Sequence, residues 1–193
     1  MQWPYVITAE QWSAAGDFWG GMAQVGLVGV TVYVGQQWLR QKRYEGVKEL
    51  IEEFAVIHHE MQQSAASLTQ LTGTNGGADW WTMKDAALKA FDTQRIKLLY
   101  VAVRCRLHDD ELSGNVYKVN EISMTFRAKY LEYRAIPIGK ESWSLSMEER
   151  AINDKNRKEL AQVLFVPDSE LWKEYVHASE ACYLRARILM WGV

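Results

Sequence analysis

The first 39 residues contain no lysine or arginine, and the 22 residues from Phe18 to Leu39 carry no charge of either sign. Arg40, Lys42 and Arg43 then open a remainder in which 22 bases meet 22 acids. As a helix the charge-free run reaches about 33 Å, enough for a hydrocarbon core of about 30 Å. The pattern predicts one membrane crossing near the start of the chain.

Val25, Leu27, Val28, Val30, Val32 and Val34 supply the apolar centre of this run. Trp19 and Trp38 stand near its ends, where amphipathic rings favour the headgroup layer. Arg40, Lys42 and Arg43 set the orientation by the positive-inside rule, with the N-terminus outside and the C-terminal part cytoplasmic. Residues 1–17 lack the basic start of a secretory signal, so the segment is read as retained. Five glycines and Gln24 keep its apolarity moderate. The expected organisation is an extracytoplasmic segment over 1–17, a transmembrane helix over 18–39 and a cytoplasmic helical bundle over 40–193.

No proline interrupts the path from residue 18 to residue 71, which predicts a membrane helix continuing into a long amphipathic one. Val47, Leu50, Phe54, Ile57, Met61, Ser64, Leu68 and Leu71 alternate steps of three and four. This face serves either a parallel coiled coil between protomers or packing within the same domain. Ile51, Ala55 and Ala65 widen the stripe and favour packing within the domain.

Glycine and asparagine in 73–79 stop this helix. A second helix is expected from Met83 to about Leu107, opened by Thr82 with Asp85. A third runs from about Asn115 to Ala135, with Val116, Val119, Ser123, Phe126, Tyr130 and Tyr133 on one face. Ser146 and Glu149 form a capping box for a fourth that ends near Phe165. Pro167 and Asp168 lead into a fifth that carries Trp172, Tyr175, Ser179, Cys182, Ala186 and Leu189 on one side. The fold class is therefore all-α, an antiparallel bundle behind a single membrane helix. The polar link His108, Asp109, Asp110, Glu111 is expected to return toward Arg40, Lys42 and Arg43 and pair with them.

Catalytic motifs are missing from the sequence. His58, His59 and Glu60 resemble half of a zinc-protease helix, but Gln63 stands where the second histidine belongs, so exposed histidines are expected. Cys105 and Cys182 match no metal or redox spacing. Phosphate-binding glycine loops and the nucleophile elbow are absent from the sequence, and a charge-neutral bundle offers no broad field for nucleic acid. No catalytic residue, cofactor or metal is assigned, and no small-molecule substrate is evident.

The expected partners are membrane lipid and a protein partner or second copy of the chain. The face Val47, Leu50, Phe54, Ile57, Met61, Leu68 and Leu71, or the surface around Trp172 and Tyr175, would receive them. The first functional reading is a membrane-anchored protein that binds or positions a protein at the cytoplasmic face. The alternative is a membrane-perturbing or pore-forming effector, of toxin-like or phage-defence type, whose bundle controls oligomerisation.

Overall fold

A computed structural model describes the backbone of residues 9–70, 78–137, 139–166 and 168–192, with side chains from 27–68, 82–137, 142–166 and 168–192. Five α-helices follow one another: α1 Ala9–Gln70, α2 Ala78–Cys105, α3 Asp110–Ala135, α4 Met147–Phe165 and α5 Glu170–Trp191. A short 3-10 helix, Gly139–Ser144, precedes α4, and the described residues contain no strand. The chain divides into two compact units, Met1–Glu45 and Gly46–Val193. The second begins one residue before Val47, the first core position of α1.

In that second unit α1, α2, α3 and α5 form an up-down-up-down bundle. Paired residues rise in number on one helix as they fall on the next. Glu49 and Glu53 of α1 meet Arg104 of α2; Asp85 and Asp92 of α2 meet Arg134 and Arg127 of α3. Asp109 at the start of α3 meets Arg185 of α5, while Phe126 further along meets Trp172. The close succession of α1, α2 and α3 in the sequence gives their antiparallel order, and α4 carries the chain from α3 to α5.

The three-four stripe of α1 is the interior of its own bundle: Val47, Leu50, Phe54, Ile57, Met61 and Leu68 are all buried. None of them is a surface open to a partner in this fold. Ala65 takes the buried position beside half-buried Ser64, whose hydroxyl donates to Glu60 O at 2.8 Å. Leu71 lies outside the described residues. The stripe of α3 is buried as expected, with the Ser123 hydroxyl donating to Val119 O at 2.7 Å.

Helix starts differ from expectation at two places. α2 opens at Ala78, so Thr82 is an interior residue and not a cap. α3 opens at Asp110, because the Asp109 carboxylate accepts the Leu112 backbone N–H at 2.8 Å. The polar link thus holds the start of the helix, which was expected at about Asn115. Ser146 and Glu149 do form the reciprocal box: the Ser146 N–H donates to the Glu149 carboxylate at 2.7 Å, and the Glu149 N–H donates to the Ser146 hydroxyl at 3.2 Å. Those bonds hold the Glu149 carboxyl below its ordinary value.

Among the described residues, no helix is long and apolar enough to cross a membrane. The described side chains of the expected span begin at Leu27, which leaves 13 residues to Leu39, with Gly29, Gly35, Gln36 and Gln37 among them. Trp19 and Val25 have side chains outside the described set.

Candidate functional site

Three features outside the plain core have a chemistry that the sequence only partly shows. The first is the surface of α1 over residues 27–39. Leu27, Val28, Val30, Val32, Tyr33, Val34, Trp38 and Leu39 are each more than half exposed. At 100° per residue these positions ring the helix. Two polar side chains of this stretch bond within the helix: the Thr31 hydroxyl donates to Leu27 O at 2.8 Å, and the Gln37 amide donates to the Tyr33 hydroxyl at 2.7 Å. Arg40, Lys42 and Arg43 follow, all exposed, with Lys42 Nζ 3.3 Å from Glu45. The Gln41 amide and then Lys42 hold the Glu45 carboxyl below its ordinary value.

The second feature is a charged clamp where α2 turns into α3. Arg185 on α5 donates to both Asp109 oxygens at 2.9 and 2.7 Å, and its Nη1 lies 2.9 Å from Glu111. Asp110 pairs with Arg106 at 3.5 Å. The arginines seen to pair with the acidic link, Arg106 and Arg185, belong to its own unit. The same turn brings His108 against α1. A Cβ on Gly46 would lie 2.5 Å from His108 Cε1, so any larger residue displaces the imidazole.

Asp109 thus caps a helix and anchors an arginine with a side chain only 12% exposed. Asp109→Ala should lower stability by about 2–3 kcal/mol, the sum of a lost cap and a partly buried ion pair. Asp109→Asn keeps the cap and should cost about half of that. Denaturant unfolding in detergent micelles measures both.

The third feature is a ladder of rings across all four bundle helices. Phe91 of α2 meets Phe126 of α3 at 5.3 Å, Phe126 meets Trp172 at 5.5 Å, and Trp172 meets Tyr175 at 5.7 Å. Tyr175 stacks on His58 of α1 at 5.4 Å, and His58 stacks on Phe54 at 5.7 Å. The Trp172 N–H donates to Leu164 O at 2.9 Å and ties α4 to α5. Beside the ladder lies an apolar cavity of about 10 Å³, lined by Met61, Phe91, Phe126 and Tyr175, with room for about one water. Tyr175 and half-buried Trp172 are therefore ladder residues of the interior, where a partner surface was expected.

His58 is half-buried within the ladder, not exposed as expected, while His59 is exposed. Burial first and the neighbouring His59 second push the His58 pKa below 6.5. A histidine that is harder to protonate folded than unfolded contributes full stability above its unfolded pKa. That contribution fades as pH falls through 6.5 toward the folded value. Stability should therefore drop as pH falls through 6.5, and His58→Phe should flatten that slope. Unfolding curves across the range check this.

At the other end of α2 and α3, buried Lys84 lies 6.0 Å from the centre of the Tyr130 ring. Burial lowers its pKa to about 8, with Arg157 and Arg134 adding to the shift. Arg134 pairs with Asp85, and Arg157 stacks over Tyr133 at 5.2 Å. Burial likewise raises Cys105 to about 11 and Cys182 to about 12, which keeps both thiols protonated and inert. Among the described residues, no group of three histidine, cysteine or carboxylate side chains is placed to hold a metal ion.

Sequence reasoning missed Arg185, Gly46 and Lys84. Arg185 lies next to Ala186 in the buried stripe of α5, and a base at the edge of a core face is the signal that points to an inward partner. Comparison of the chain with known families, with curated proteins and with solved structures finds no match.

Proposed function

We propose that the chain is a membrane-anchored helical protein whose bundle binds or positions a protein partner at the cytoplasmic face. The carrying observation is the ring of exposed apolar side chains from Leu27 to Leu39. A helix apolar on every side calls for an apolar surrounding, and exposed patches of that size mark lipid or protein contact. The charge-free sequence continues back to Phe18, and Arg40, Lys42 and Arg43 favour a cytoplasmic bundle.

For the partner, the support is on α2. Ile96, Tyr100 and Val103 are exposed on the side opposite buried Phe91, Leu98, Ala102 and Cys105. Steps of four and three along a helix are the anchors of helix-in-groove recognition. Protease added to sealed vesicles of both orientations tests the topology. Digestion of the bundle only where the cytoplasmic side faces out is the expected result, and digestion from the opposite side refutes it.

A further inference from the structure

The outer side of α2 carries charge of one sign beside its exposed apolar ridge. Ile96, Tyr100 and Val103 are 48%, 67% and 57% exposed, and N-terminal to them Ala86, Ala90 and Thr93 are exposed as well. Large apolar side chains next to small ones make a ridge and a hollow, the relief into which a second helix packs. The bases on this side are Lys89, Lys97 and Arg104. Two acids of the same helix, Asp85 and Asp92, are already held, the first by Arg134 and the second by Arg95 and Arg127. Arg104 is taken by Glu49 and Glu53 of α1. Lys89 and Lys97 are exposed, and among the described residues no carboxylate pairs with either. Their positions on the helix place them about 12 Å apart along its axis, on either side of Thr93.

We infer that this side of α2 receives an amphipathic helix of a partner protein whose apolar stripe is bordered by carboxylates, which pair with Lys89 and Lys97. The inference rests on the partner-binding reading above and names the class of partner. Ile96, Tyr100 and Val103 supply the apolar anchors at steps of four and three, and charges at the border of a helix pair select the partner and its register. Two lysines left without acids on the bundle repel a basic helix and draw an acidic one. A lipid surface is the poorer match. The exposed residues of α2 from Ala86 to Val103 include no tryptophan, phenylalanine or leucine, the side chains that hold an interfacial helix in a bilayer.

Two synthetic helical peptides with the same leucine stripe, one bordered by glutamate and the other by lysine, probe the site. Their binding to the full chain in phosphatidylcholine nanodiscs is read by fluorescence anisotropy against empty nanodiscs. The glutamate peptide should bind at least about tenfold more tightly than the lysine peptide, and Lys89→Glu with Lys97→Glu should reverse that order. Tyr100→Glu should weaken both peptides. All three positions are exposed, so the circular dichroism of the bundle stays unchanged. Equal binding of the two peptides that Tyr100→Glu abolishes overturns the acidic class and leaves a partner site on α2. Binding that Tyr100→Glu leaves intact overturns the placement on this side. If neither peptide binds, the inference falls, and with it the support that α2 gives to the partner-binding reading. Self-association of the chain that Tyr100→Glu abolishes also overturns it, because a second copy then covers the ridge. A fluorophore at Thr93→Cys that nitroxide lipids quench once phosphatidylglycerol is added to the nanodiscs overturns it in favour of lipid.

Discussion

Phe54→Ala should destabilise the bundle by about 3–5 kcal/mol, the range for deleting a fully buried aromatic side chain. The residue is 1% exposed, stacks on His58 and receives the edge of Tyr183 at 5.4 Å. Its removal empties the point where α1 joins the ring ladder to α5. Single domains are stable by about 5–15 kcal/mol, so this one change removes a large share of the total. Phe54→Leu keeps most of the volume and should cost about 1–1.5 kcal/mol. Denaturant midpoints of the two variants check the ratio; equal losses would mean that ring volume at this position is unimportant.

The second large effect belongs to the apolar surface of α1. Val30→Arg should shift the insertion free energy by about 2.5–3.5 kcal/mol, the penalty of a base near the centre of a membrane helix. The native run is only moderately apolar, diluted by five glycines and Gln24 between Phe18 and Leu39. A further loss of that size should move much of the chain out of the membrane fraction. Val30 is exposed and lies outside the unit that begins at Gly46, so the circular dichroism and unfolding of the bundle should stay unchanged. Unchanged membrane residence, or a bundle that unfolds with the substitution, would contradict the separation of the two roles.

The helical bundle was legible because its signals are local. Three-four spacing marked the buried faces of α1, α3 and α5, and the box Ser146 with Glu149 marked the start of α4. The helix starts were less legible, because Asp109 can cap one turn earlier than the first apolar residue shows. Long-range partners were the least legible. Spacing states that Phe54 and Tyr175 face inward, yet it does not state that His58 lies between them. Nor does it show that Arg185, 76 positions from Asp109, closes the turn. The face expected to receive a partner is spent on the bundle itself.

Alkaline carbonate extraction of the unaltered full-length chain from a membrane fraction tests the central claim most directly. A helix anchored by its apolar ring stays in the pellet with its bundle attached, and this is the predicted result. Release of the chain into the supernatant would contradict it, and would turn the exposed surface from Leu27 to Leu39 into a contact for protein.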